Sequence, residues 1–386
     1  MKKVFTGILA LFIASTIFSQ ESFIKEDWEK AVALSKKTGK ILFVDYYTDW
    51  CGWCKVMDKQ TFNDSIVKPI MEENFVLLKI DAEKGVGPKL AKKYRVSAFP
   101  SFMFYSADGK VIKKIMGFQK AEEFIKTMED VKKLNEAKTY YEGISTNLDL
   151  KYPKFYDDSF LDKESRPKLD IEEVNKYLLN QKDFNSEIVF AVLSRFPTSD
   201  EVNKKFLAQK DELSKLFGKE DVEQKNSQIL NAKYSEVLKS LDEKLLEELL
   251  SFIEENLPEK KENYFLAINT GFFEKKSDWK KYSEIIDAQI RDNKLEPQQI
   301  NQYSWNIYEK SEDSSVLKKA VDWMKNLCDT NPEWMFIDTY ASLLYKTANY
   351  PEAKIQAEKA IKLGSDSGEN VEETKILLEK ILKEIK

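Results

Sequence analysis

Cys51 and Cys54 stand two residues apart in the stretch VDYYTDWCGWCKVMDKQ, from Val44 to Gln60. Two thiols at this spacing can form a structural staple, supply half of a metal site, or cycle between dithiol and disulfide as a two-electron couple. The rest of the chain narrows the choice. Only three cysteines occur in 386 residues, and the third, Cys328, lies far along in a helical pattern, so one chain cannot assemble a four-thiolate metal site. A two-cysteine site bridged between subunits is the remaining metal option. There is no histidine, which excludes a Ser-His-Asp hydrolase, a Cys-His protease and any His-ligated zinc or haem.

The N-terminus bears on the oxidation state of the pair. MKKVFTGILALFIASTIFSQES opens with two lysines, continues with an uncharged apolar run from Val4 to Phe18, and ends in small and polar residues. This is the layout of a secretory signal peptide, residues 1–20, cleaved near Ser19 or Gln20. The run is short for a membrane span of about 20 residues, and no cysteine near the cleavage point suggests lipid attachment. The expected mature protein is periplasmic or secreted with no membrane span, where disulfides form and persist.

Between Trp28 and Asn135, short apolar strand-like runs alternate with helical patterns. WEKAVALSKK, CKVMDKQTF, SIVKPIMEENF, GPKLAKKY and KAEEFIKTMEDVKKL read as helices; ILFVDYYT, VLLKID, SFMFYS and KVIKKIMG read as strands. Asp108-Gly109 supplies the turn of a hairpin between the last two strands. The remaining alternation implies parallel pairing, hence a small mixed sheet covered by helices on both faces. Pro69 conflicts with its helix unless it kinks the helix or sits in its first turn.

Downstream of Lys138, after a less regular stretch from Tyr140 to Lys168, the pattern is of long amphipathic helices. Glycine and proline, 12 and 10 residues, are scarce enough to agree with a largely helical chain. Ala320, Leu327 and Pro332 recur 33 residues on as Ala353, Ala360 and Ser365. Near 301–366 this resembles tetratricopeptide repeats, whose unit is 34 residues; an irregular helical bundle is the alternative. The 66 acids and 61 bases are interspersed, so no concentrated basic face points to nucleic acid.

Residues 28–134 resemble the thioredoxin family. Asp45 lies six residues before Cys51, where the family has a buried acid; WCGWCK matches its active-site turn, with Trp53 in place of thioredoxin's proline. FPSF matches the cis-proline loop through Pro100, and MGF supplies the later glycine as Gly117. TDWCGWCK in an exported context is similar to envelope thioredoxin-like proteins of Bacteroidetes type and to the exported domain of the DsbD family. The resemblance implies an α/β thioredoxin fold over residues 21–136, followed by an all-α, tetratricopeptide-like domain over 137–386.

The chemistry also follows from local geometry. Side chains three apart in a regular helix have Cβ atoms about 5–6 Å apart, whereas a disulfide wants roughly 3.5–4.5 Å. Placing Cys51 at the helix start, beside flexible Gly52, relieves that conflict, turns its sulfur outward and aims free backbone N–H groups at it. A surface helix terminus contributes on the order of 0.3–1 kcal/mol and one pKa unit is about 1.36 kcal/mol, so direct hydrogen bonds to the thiolate must do the rest. Cys51 is then the nucleophile and Cys54 the resolving thiol. By resemblance, Asp45 accepts a proton from Cys54, the alternative being a purely structural strand carboxylate. Trp50, Gly52 and Trp53 flank the pair as a substrate rim, and the resemblance implies that the backbone at Phe99 and Pro100 pairs with an extended substrate chain. Lys55 reads as a solvated helix lysine with a modest pull on Cys51, and Cys328 as a buried small apolar residue.

The expected function is an exported thiol-disulfide oxidoreductase, reductase or isomerase, whose only cofactor is its Cys51–Cys54 disulfide. Its partners are protein thiols and disulfides, a redox donor or acceptor, and a protein docked on the helical domain. The alternative is a repeat-based interaction scaffold with a static disulfide.

Overall fold

The computed structural model describes residues 23–161 and 164–386; the expected leader, residues 1–20, lies outside them. The chain divides into two compact units, one ending at Ile229 and one beginning at Leu230. Among the described residues no helix is long and apolar enough to cross a membrane.

The first unit is built on β1 (Ile24–Lys25), α1 (Trp28–Thr38), β2 (Ile41–Tyr47), α2 (Gly52–Met57), α3 (Val67–Asn74), β3 (Phe75–Asp81), α4 (Gly87–Lys93), β4 (Ser101–Tyr105), β5 (Val111–Met116) and α5 (Ala121–Glu136). The sheet order is β1-β3-β2-β4-β5. β1, β3 and β2 run parallel, and β2-β4 and β4-β5 are antiparallel. The expected mixed sheet is therefore present, with β1 added as a two-residue edge too short to carry a pattern. Gly109, at φ 81°, turns the hairpin and donates its N–H to Ser106 O at 2.8 Å, in the left-handed region that glycine enters without penalty.

Alternation along β2 sends its residues to two cores. Phe43 joins Phe62, Phe102 and Phe124 under α2, α3 and α5, with ring centroids 5.7–5.8 Å from each. On the opposite face Tyr46 and Tyr105 share a buried hydroxyl hydrogen bond of 3.0 Å, and the rings of Trp28 and Tyr94 stand edge-on to Tyr105. Pro69 is the third residue of α3, in the first turn, where its missing N–H breaks no intrahelical bond. The helix expected over CKVMDKQTF is regular only to Met57 and continues as one π-helical turn, Asp58–Phe62.

The first unit extends past residue 136, the expected end of the sheet domain, through α6 (Lys154–Asp158), α7 (Ile171–Leu179), α8 (Glu187–Arg195), α9 (Asp200–Ala208), α10 (Lys210–Phe217) and the first half of α11 (Lys219–Ser240). Buried charge holds this extension. Asp221 accepts from Arg95 Nε at 2.8 Å and from Lys114 Nζ at 2.6 Å, all three side chains being nearly inaccessible. The Arg95 guanidinium lies over the rings of Phe190 and Phe217, and Lys93 donates to Ser145 Oγ and Glu187. Removing one member of such a buried pair typically costs about 3–5 kcal/mol, so these pairs tie the helices to the sheet within one compact unit that ends at Ile229.

The second unit comprises the end of α11 and α12 (Glu243–Asn256), α13 (Lys261–Lys276), α14 (Trp279–Arg291), α15 (Pro297–Lys310), α16 (Ser314–Thr330), α17 (Trp334–Lys346), α18 (Tyr350–Asp366) and α19 (Glu372–Glu384). From α12 on, each helix packs against the next; α14 also meets α16, α15 meets α17 and α17 meets α19. Ala320, Ala353, Ala357 and Ala360 are completely buried, as close helix approach requires, and Cys328 is buried in α16.

Two outcomes test this packing. Ala353→Leu forces extra volume into a closed contact and is expected to cost roughly 1–3 kcal/mol, read by denaturant unfolding; no loss would mean the α17–α18 contact is loose. Lys225 is buried with only neutral acceptors, Phe196 O at 2.8 Å and Gln228 Oε1 at 2.7 Å, and burial pushes its ammonium down to about 7. Between pH 7 and 10.5 the unfolded chain holds the proton that the folded chain lacks, so folding strengthens as pH rises through that window. Lys225→Met is expected to abolish that gain, at most about 3 kcal/mol between pH 7 and 9.5, in urea titrations at those two pH values.

Candidate redox site

Thr48 and Asp49 follow the C-terminal end of the central strand β2, and Cys51 caps α2 with extended backbone, φ −71° and ψ 105°. Cys51 and Cys54 are joined in a disulfide with Cα atoms 5.3 Å apart, and the Cys54 N–H donates to Cys51 Sγ at 3.0 Å. One direct hydrogen bond of the kind needed to favour a Cys51 thiolate is thus in place. The sulfur is not outward, as the sequence suggested: Cys51 is 4% exposed. Its bond to Cys54 Sγ and the Cys54 amide draw it against the first helical turn.

Around this covered pair the surface is aromatic. Trp50 and Trp53 are 67% and 61% exposed. Trp50 donates its indole N–H to both Glu83 carboxylate oxygens at 3.1 and 3.0 Å and stands edge-on to Phe99, centroids 5.9 Å apart. Trp53 leans on Phe118 at 5.5 Å. Both tryptophans are therefore at the surface, not in the core. The Phe99–Pro100 peptide is cis, and Pro100 O accepts from Gly117 N–H at 2.8 Å. Phe99 is partly exposed, Pro100 buried and Lys55 exposed. A side chain at Gly52 would meet nothing within 4 Å, so packing does not demand glycine there.

Asp45 lies in the central strand on the same face as Phe43, the face that packs against α2. Its carboxylate is buried; Oδ2 is 3.3 Å from Lys79 Nζ, and Oδ1 has no hydrogen-bond partner. Burial raises its pKa from 3.8 to about 7, Lys79 opposing and Asp58 adding to the rise. Lys79, opposite Asp45 in the β2–β3 register, also pairs with Asp58 in the π-helical turn. Sequence reasoning missed Lys79 and Asp58. The available signal was a lone lysine inside the apolar run VLLKID, since a cation in a buried strand demands a partner.

This order of elements and this site define residues 28–132 as a thioredoxin-like domain, the family whose model matches that span. Over the same region the chain is similar to the thiol:disulfide interchange protein DsbD of Vibrio vulnificus, 31% identical over 121 residues, covering 29% of this chain and 20% of that protein. The DsbD of Ralstonia nicotianae is 31% identical over 103 residues, covering 26% and 17%. The chain thus spans about a fifth of the length of the curated relatives it matches. Among solved structures, a putative disulphide-isomerase from Bacteroides thetaiotaomicron is 38% identical with a TM-score of 0.27, covering 28% of this chain and 90% of that one.

Because the folded protein keeps a proton on Asp45 that the unfolded chain sheds near pH 4, stability falls as pH rises from about 4 to about 7 and stays low above that. Asp45→Asn removes the titration. Oxidised Asp45→Asn is expected to match the wild type near pH 4 and to exceed it at pH 8 by up to about 4 kcal/mol, measured by guanidinium unfolding. A gap that does not change with pH would mean that burial of the carboxylate is not what separates the two proteins.

Proposed function

We propose that this chain is an exported thiol-disulfide oxidoreductase acting on protein substrates, with electron flow in the reductase or isomerase direction. The observation that carries this reading is a disulfide at a helix start whose first sulfur already accepts an N–H, rimmed by two exposed tryptophans. A static staple has no use for an exposed aromatic rim. The DsbD relatives, named for thiol:disulfide interchange, agree with this chemistry over the region they share.

In the reducing direction the Cys51 thiolate attacks one sulfur of a substrate disulfide. A Cys51–substrate S–S bond forms, the substrate S–S bond breaks, and the leaving thiolate takes a proton. Cys54 passes its proton to the Asp45 carboxylate and attacks Cys51 Sγ. The mixed disulfide breaks, the second substrate sulfur departs as a thiolate that takes a proton from solvent, and the Cys51–Cys54 bond closes. Two electrons have moved from protein to substrate, and a dithiol donor must return them. Lys79 and Asp58 set the charge that Asp45 experiences and act as positioning residues. No bound cofactor is needed, since the cysteine pair carries both electrons. Trp50 and Trp53 offer the apolar rim, and the backbone at Phe99 and Pro100 receives the substrate chain. The second unit, with its stacked helix pairs and buried alanines, is read as a tetratricopeptide-like platform for a protein partner.

The test is insulin reduction by the mature protein, with redox titration of Cys51 and Cys54 against glutathione and dithiothreitol. Cys51→Ser is expected to abolish turnover, and Cys54→Ser to accumulate a mixed disulfide visible on non-reducing gels. The second step in the wild type should accelerate as pH rises through about 7, where Asp45 loses its proton, and Asp45→Asn should lose that inflection. A disulfide that resists reduction until the protein unfolds would overturn the reading in favour of a scaffold.

A further inference from the structure

The segment from Tyr94 to Pro100 leads from α4 to the cis-proline and contributes Phe99 to the rim. It is held at Arg95 and at Ser97 by α11, which lies outside the thioredoxin-like span. At its base Lys114 Nζ donates to the carbonyl oxygens of Tyr94 and Arg95 at 3.1 and 2.8 Å, and to Asp221 at 2.6 Å. Arg95, held at φ 55°, donates from Nε to the other Asp221 oxygen at 2.8 Å. One carboxylate of α11 therefore fixes both the side chain and, through Lys114, the backbone of the segment. One turn further along α11, Gln224 exchanges hydrogen bonds with Ser97: Nε2 donates to Ser97 Oγ at 2.9 Å, and Ser97 Oγ lies 3.3 Å from Gln224 Oε1. Ser97, Ala98 and Gln224 are all exposed, so this pair lies at the surface two residues before Phe99. Ser101 Oγ closes the far end on Ala98 O at 2.6 Å.

We infer that Asp221 and Gln224 of α11 are positioning residues for polypeptide substrates, holding the Tyr94–Pro100 segment in the shape that an extended substrate chain must meet. This rests on the oxidoreductase reading above and goes beyond it by giving the helical extension a part in substrate recognition. An extended polypeptide needs main-chain groups at fixed spacing to form its hydrogen bonds, and a surface loop not held from outside does not keep that spacing. A small disulfide that meets only the Cys51 sulfur makes no such demand. The grip should therefore appear in the handling of polypeptides and leave the thiol chemistry alone.

The experiment uses the full mature chain and compares insulin with the small aromatic disulfide 5,5′-dithiobis(2-nitrobenzoate). Gln224→Ala and Ser97→Ala each remove the surface contact between these two side chains and leave the buried charges intact. Each is expected to raise KM for insulin roughly two- to tenfold, the range of a single hydrogen bond. The kcat, the rate with the small disulfide and the Cys51–Cys54 reduction potential should stay unchanged. Ser97→Thr, which keeps the hydroxyl, should restore KM, and Asp221→Asn should shift KM further in the same direction. An unchanged insulin KM in both alanine variants would overturn the inference and leave the oxidoreductase reading standing. Equal losses on both substrates would also overturn it, placing the effect in the cysteine chemistry. A wild-type protein that reduces neither disulfide would overturn both readings together.

Discussion

A carboxylate in the central strand of a sheet is the constraint around which this first unit is arranged. β2 lies between β3 and β4 and is covered on both faces, so Asp45 has no route to water and must draw what compensation it can from protein groups. Lys79 supplies the cation from the neighbouring strand. Lys79 must itself be satisfied, and the π-helical turn after α2 brings Asp58 to it. The result is a shared cation between two acids, one buried and one partly exposed, with the proton affinity of Asp45 lifted toward neutrality. The aromatic packing around it, Phe43 against Phe62, Phe102 and Phe124, keeps water away and fixes the strands that carry the charges.

The same strand sets the cysteines. Where β2 runs out, the chain passes Thr48 and enters a helix whose cap is Cys51. Extended backbone at Cys51 followed by helical backbone at Cys54 is what allows two side chains three apart to meet, and it leaves the Cys54 amide directed at Cys51 Sγ. Strand, charge and thiol pair are thus consecutive consequences of one short stretch of sequence.

Much of this was legible beforehand because it is local. The runs ILFVDYY, VLLKID and SFMFY are apolar enough to declare themselves as strands, Asp108-Gly109 marks its hairpin, and the Cys51–Cys54 spacing with Asp45 six residues earlier points to the site. What escaped was set by partners distant in sequence or by very short elements. Two residues of β1 carry no periodicity; the π-helical turn differs from a helix only in its hydrogen bonds. Arg95 and Lys114 meet Asp221 more than a hundred residues later, and no local pattern names that partner. The covered position of Cys51 follows from disulfide closure, a geometry that spacing alone did not convey.

The buried attachment of α11 has a consequence for modularity. A sheet domain that ended at residue 136 could be exchanged between proteins as a cassette. In this chain Lys93, Arg95 and Lys114 are cations with nowhere to go once residues 187 and 221 are removed. Separating the two segments would leave buried positive charge unpaired unless all three cations were replaced as well. The stretch of this chain that must stay together to keep its charges paired is therefore nearer 200 residues than 100.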